Sequence, residues 1–141
     1  MKPYPTLFKK RLKAYTLTEI LVVLVIIGIL VLLALPNLLP LITRAKSLEA
    51  KTQLAHIQTL EQNYFYEHSK YSKDLGEIGF LQDKLVTDGA DGRANYRIEI
   101  VSATNTTFTA RATAVVDFNG NGVFNVWEIS QDGIPKETTP D

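Results

Sequence analysis

The chain contains no cysteine. Disulfide staples, thiol nucleophiles and thiolate-held metals are therefore excluded, and the absence suits an exported protein as well as a cytosolic one. Histidine is almost as scarce. His56 and His68 stand apart, without a second ligand nearby in sequence and without the nucleophile and acid of a hydrolytic set. They read as surface or hydrogen-bonded side chains, and no enzymatic activity is expected. Acids are missing before Glu19, while Lys2, Lys9, Lys10, Arg11 and Lys13 crowd the start. Formal charge still sums to zero over 141 residues, so the start is polarised although the chain is not basic. Polarity itself is absent from residues 20–35, ILVVLVIIGILVLLAL. With Thr16, Leu17 and Thr18 that run reaches about 20 residues, or about 30 Å of helix, enough to cross a bilayer. The basic residues ahead of it keep the N-terminal end cytoplasmic and put everything after Ile42 outside. A simple signal anchor shares the basic start and the apolar run. Against it, no A-x-A site follows, and a helical pattern continues beyond.

One carboxylate, Glu19, sits at the mouth of this run. A charge there costs about 2.5–3.5 kcal/mol on insertion scales, so an ordinary anchor should lack it. The stretch Ala14-Tyr15-Thr16-Leu17-Thr18-Glu19, followed by the long apolar helix, resembles the type IV prepilin signature. Ala14 stands where that family usually has Gly, and Tyr15 where it usually has Phe. The resemblance implies that a prepilin peptidase cuts between Ala14 and Tyr15 and methylates the new Tyr15 amine. It implies, too, that Glu19 pairs with the Tyr15 amine of a neighbouring subunit as the helices pack. Removing one partner of such a buried pair strands the other at about 3–5 kcal/mol. The bland alternative is that Glu19 snorkels to the interface. Pro36 and Pro40 predict a kink or local melting, since each lacks an N–H and crowds the carbonyl four residues back. Gly28 is a second weak point. By resemblance the stretch from Gly28 to Pro36 unwinds when a subunit leaves the bilayer; equally, Gly28 permits close helix packing.

Beyond Pro40, the residues Ala50, Leu54, Ile57, Leu60, Tyr64 and Phe65 recur at three- and four-residue steps, the mark of a helix with one apolar face. Arg44, Lys46 and Glu49 read as a solvated face. Residues 69–95, broken by Gly76, Gly79, Gly89 and Gly92, read as a long connecting loop with a helical turn near Leu75. YRIEIV (96–101) and FTARATAVV (108–116) alternate and predict a hairpin across SATNTT. Ala110, Ala112 and Ala114 share its inner face, and Arg97, Glu99, Thr109, Arg111 and Thr113 its outer one. Val126–Ser130 predicts a third strand, followed by a tail. The fold expected is thus α+β, the type IV pilin fold: a long N-terminal hydrophobic α-helix with its C-terminal half packed on a small antiparallel β-sheet. Its parts are a leader (1–14), a transmembrane and filament-core helix (15–42) and a globular head (43–141).

DFNGNGVFNVWE, residues 117–128, satisfies the twelve-position calcium-loop spacing with Asp117, Asn119, Asn121, Gly122, Asn125 and Glu128, and with the Val123 carbonyl at position seven. Strands flank it where helices should. Calcium is the one cofactor expected, in the weak extracellular range of about 10⁻⁴–10⁻³ M; the competing reading is a tight turn using Gly and Asn. By resemblance the chain is a structural subunit of a type IV pilus-like filament serving adhesion, motility or DNA uptake. Its partners would be other pilin subunits, the prepilin peptidase and the inner-membrane assembly machinery. It would sit as a single-pass inner-membrane protein with a periplasmic head, then in a cell-surface pilus. No direct nucleic-acid site is evident. The alternatives are a pseudopilin of a type II secretion system and a single-pass anchored extracellular binding module.

Overall fold

The computed structural model describes residues 14–141; the basic leader residues, Lys2 to Lys13, lie outside the described residues. One helix, α1 (Leu17–His68), is followed by four strands: β1 (Tyr96–Ala103), β2 (Phe108–Ala114), β3 (Val126–Ser130) and β4 (Lys136–Thr139). The chain falls into two compact units, one ending at Pro36 and the other spanning Asn37–Asp141.

Among the described residues of the first unit no side chain is buried. An 18-residue window of α1 reaches a mean hydropathy of 3.0 with none of it buried. A helix apolar on every side finds cover only in a bilayer or among other helices. α1 runs without interruption from Leu17 to His68, across both Pro36 and Pro40. The two prolines are four residues apart, so the carbonyls they leave without a donor, at Leu32 and Pro36, lie along one edge of the helix. The remaining hydrogen-bond rows continue past them.

In the second unit, α1 buries Thr43, Ser47, Ala50, Leu54, Ile57 and Glu61, a stripe at alternating steps of four and three. It packs on the inner faces of an antiparallel sheet in the order β1-β2-β3-β4. Tyr96, Ile98 and Ile100 of β1, Phe108 and the three alanines of β2, and Trp127 and Ile129 of β3 complete the core. Small side chains at Ala110, Ala112 and Ala114 let the backbone of β2 approach the helix, and all three are buried. β1 extends two residues beyond the expected hairpin arm, and its register shifts between Ile100 and Ser102. β4 was read as tail. It is a short polar edge strand, tied down by Asn125, which donates to Glu137 Oε1 at 2.7 Å and to the Thr139 carbonyl at 3.1 Å.

The 69–95 segment is packed, with Ile78, Phe80, Leu85 and Ala94 buried. Near Leu75 it makes the expected turn, where the Phe80 amide donates to the Leu75 carbonyl at 2.8 Å. Gln82 then closes the free edge of β1: its Oε1 accepts from the Ile98 amide at 2.9 Å and its Nε2 donates to the Tyr96 carbonyl at 3.2 Å. One side-chain amide thus stands in for a neighbouring strand. Gly92 is required by contact, since a Cβ there would lie 1.9 Å from the Leu85 carbonyl oxygen. Lys46 and Glu49 are not merely solvated. Glu49 accepts from the Asn95 amide (2.8 Å) and from Asn95 Nδ2 (2.7 Å), while Lys46 donates to Asn95 Oδ1 at 2.8 Å. These bonds clamp the end of the 69–95 segment onto α1.

Glu61 is the misfit in the stripe, 0% exposed. Its Oε2 accepts from the Ser72 amide at 3.1 Å, and its Oε1 has no partner. Burial raises its pKa, only partly opposed by the Ser72 N–H. A folded-state pKa above the unfolded value, about 4.3, gives stability that is complete below the latter and lost as pH rises through the former. Glu61→Gln removes this titration and keeps the shape. In melts of the detergent-solubilised full chain, the variant should therefore gain on wild type as pH rises from about 4 to about 8. Melting profiles that stay parallel across that range would show that Glu61 ionises as easily in the folded protein as in the unfolded chain.

Candidate functional site

Ala14, Tyr15 and Thr16 precede α1 outside any regular element, and Tyr15 is 80% exposed. A peptide bond to be cut must be accessible, and Ala14 and Tyr15 are both exposed. Thr16 then caps the helix. Its amide donates to Glu19 Oε2 at 2.7 Å and its hydroxyl to the same oxygen at 3.0 Å, while the Glu19 amide donates to Thr16 Oγ1 at 3.2 Å. This reciprocal pattern is a capping box, placing a carboxylate where the helix N-terminus carries partial positive charge. The T-x-x-E spacing of Thr16-Leu17-Thr18-Glu19 was sufficient to predict it, but the apolar run after it drew the reading toward the membrane.

The box leaves Glu19 half used. Both bonds converge on Oε2, and among the described residues none reaches Oε1. Tyr15, Thr18, Glu19, Ile20, Val22 and Val23 line one shallow, mostly apolar hollow at the start of α1. An ionised oxygen in such a surface attracts one small cation that can also donate hydrogen bonds, such as an alkylammonium. Further along the helix, Gly28 has nothing within 4 Å of the place a Cβ would occupy, so no contact inside the chain demands glycine there.

The expected calcium ligands are divided between three places. Asp117 accepts from the amides of Gly120 and Gly122, both at 2.6 Å. Asn119 accepts from the Asn121 amide at 2.9 Å, and Asn121 from the Val123 amide at 2.6 Å, so the first half of the loop is one self-bonded turn. Asn125 is elsewhere, 0% exposed. Its Oδ1 accepts from the Tyr96 hydroxyl and from Trp127 Nε1, each at 2.7 Å, and its Nδ2 serves β4. Every donor and acceptor of that amide is used. Glu128 faces the outer side of the sheet, where Arg111 Nε donates to it at 2.7 Å and Arg111 also meets Glu99 at 3.5 Å. Asn125 and Glu128 therefore do not join Asp117, Asn119, Asn121 and the Val123 carbonyl in one ligand set. No group of three or more His, Cys, Asp or Glu that could hold a metal gathers among the described residues.

Residues 39–122 match the family model described as "Type IV minor pilin ComP, DNA uptake sequence receptor". Residues 9–35 match the one described as "Prokaryotic N-terminal methylation motif". The type IV major pilin protein PilA of Myxococcus xanthus (strain DK1622) is 39% identical over 77 residues, which are 55% of this chain and 35% of that protein. The chain thus spans about a third of the length of this curated relative.

The placement of Asn125 and Glu128 sets an expectation for the full chain in detergent. Asn125→Leu strands the Tyr96 hydroxyl and the Trp127 N–H in the core, lowering stability by roughly 2–6 kcal/mol at about 1–3 kcal/mol per unpaired group. Calcium and chelator should give superimposable melts of the wild type. A calcium-dependent rise in melting temperature that Glu128→Ala abolishes would mean that Glu128 leaves Arg111 for the ion.

Proposed function

The chain belongs to the type IV pilin family, and from that premise we propose that it is a structural subunit of a type IV pilus-like filament, assembling through the N-terminal part of α1. The observation that carries this reading is the state of Glu19: a carboxylate in an exposed aliphatic surface, capping its own helix with one oxygen while no described residue reaches the other. Cleavage between Ala14 and Tyr15 by a prepilin peptidase creates the group that oxygen lacks. The new, methylated Tyr15 amine of one subunit meets Glu19 Oε1 of the next, while leucines, isoleucines and valines pack around the pair. Before assembly, the same surface sits in the inner membrane with the head on the periplasmic side, and the assembly machinery moves it into the filament. The role is structural rather than catalytic.

Charge separates filament building from DNA capture. The matched minor-pilin model is described as a DNA uptake sequence receptor, and capture of that kind rests on Lys and Arg neutralising phosphates. Residues 43–141 hold ten Lys and Arg against fourteen Asp and Glu. A head with this balance repels a phosphate backbone at long range, which favours the subunit role.

Two outcomes are expected. Native protein from sheared filaments should have the intact mass of a chain beginning at methylated Tyr15; a chain that still starts at Met1 would leave only a membrane anchor. Glu19→Ala should insert at least as well as wild type, because it removes a residue costing about 2.5–3.5 kcal/mol in the bilayer. It should nevertheless lose nearly all filaments, because the stranded amine costs about 3–5 kcal/mol per added subunit. Normal filament numbers in that variant would reduce Glu19 to a helix cap.

A further inference from the structure

The turn between β2 and β3 carries two Asn-Gly dipeptides in succession, Asn119-Gly120 and Asn121-Gly122. Such pairs are prone to self-modification, since glycine places no side chain in the way of its own amide nitrogen. That nitrogen attacks Cγ of the preceding asparagine. The new N–C bond forms as the Cγ–Nδ2 bond breaks; the amide proton goes to solvent base, the amino group leaves as ammonia, and a succinimide results. Water then opens the ring at either carbonyl, giving aspartate or isoaspartate.

Sterically this turn is open to the reaction. Gly120, Asn121 and Gly122 are exposed. Both glycines take positive φ, +79° and +85°, with nothing within 4 Å of the place a Cβ would occupy. The nucleophiles, however, are held. The Gly120 amide donates to Asp117 Oδ1 and the Gly122 amide to Asp117 Oδ2, both at 2.6 Å, so a single carboxylate grips the two nitrogens that would attack. An anion on an N–H makes its proton harder to remove and fixes the peptide plane. The electrophiles are held as well, because Asn119 Oδ1 and Asn121 Oδ1 each accept from the amide two residues on. These backbone bonds also keep the Asp117 carboxyl below its usual pKa, and so ionised at neutral pH.

We propose that the Asn119-Gly120-Asn121-Gly122 turn is a latent deamidation site kept silent by Asp117. The consequence of its failure is local and large. Each conversion adds a negative charge beside Asp117, and the isoaspartate form adds a backbone carbon just ahead of Asn125, which joins Tyr96 and Trp127 to β4. This inference stands independently of the filament reading.

Incubation of the detergent-solubilised full chain in mildly alkaline buffer, with peptide mapping by mass spectrometry, tests it at both asparagines. Three samples run in parallel: native wild type, wild type in urea, and Asp117→Asn. Native wild type should deamidate roughly tenfold or more slowly than the urea-denatured chain, the factor expected from about 1.5–3 kcal/mol per hydrogen bond to a charged group. Asp117→Asn under native conditions should approach the denatured rate, with circular dichroism and a melt confirming that it remains folded. If the variant loosens the whole head, the native-to-denatured ratio of wild type still decides. Equal rates in native and denatured wild type, or a folded Asp117→Asn as slow as wild type, would overturn the proposal.

Discussion

A carboxylate in an aliphatic helix is expensive unless something completes its bonding, and among the described residues Glu19 completes only half of it. The Thr16 capping box satisfies Oε2, which suffices to begin a helix and to hold the carboxylate in a fixed rotamer. It does not explain why a residue that opposes insertion is kept at the mouth of an apolar run. Under the proposed assembly, the other oxygen, Oε1, would receive the amine that cleavage after Ala14 would create at Tyr15. Helix capping and subunit pairing are compatible because they use different oxygens. The cap has the further effect of aiming the free oxygen before any partner arrives, which lowers the entropy lost on pairing.

The head resolves its buried polar groups in two contrasting ways. Asn125 is buried and fully satisfied, with both lone pairs and both N–H groups in use, and it links core aromatics to an edge strand of only four residues. Glu61 is buried and half satisfied. Around it, Ser72 Oγ donates to Glu77, and the Tyr64 hydroxyl donates to the same Glu77 oxygen at 3.3 Å, so the start of the 69–95 segment is pinned by a small carboxylate-rich cluster. A network in which every member is paired specifies one structure, whereas an orphaned oxygen makes that end of the head sensitive to pH.

Much of this was legible in the sequence where a period was present. The Ala50, Leu54 and Ile57 stripe and the alternation of β1, β2 and β3 follow from side-chain geometry within each element. What escaped was fixed by partners far along the chain. Lys-Glu-Thr-Thr in β4 has no apolar alternation, and its place comes from Asn125 and the ladder with β3. Glu49 and Lys46 read as solvated because their partner, Asn95, is more than forty residues away. Glu61 occupies the next position of the apolar stripe after Ile57, where its residue type gives no sign of burial. The twelve-position calcium spacing by itself does not fix where its side chains lie. Twelve positions in a row imply convergence only if the backbone curls like the loop of a helix pair, and here β3 begins at Val126, after which alternation turns Glu128 to the outer face and toward Arg111. Glu19 stood out because a membrane run makes any charge at its mouth conspicuous, whereas the Ala14-Tyr15 junction rests on the resemblance to the prepilin signature alone.

A density map of native sheared filaments at side-chain resolution tests the pairing most directly. The account predicts that Glu19 of each subunit keeps its bond to Thr16 and lies within hydrogen-bond distance of the Tyr15 amine of an adjacent subunit. A filament core in which the Tyr15 amine lies well away from every neighbouring Glu19, with Glu19 contacting only Thr16, would contradict it.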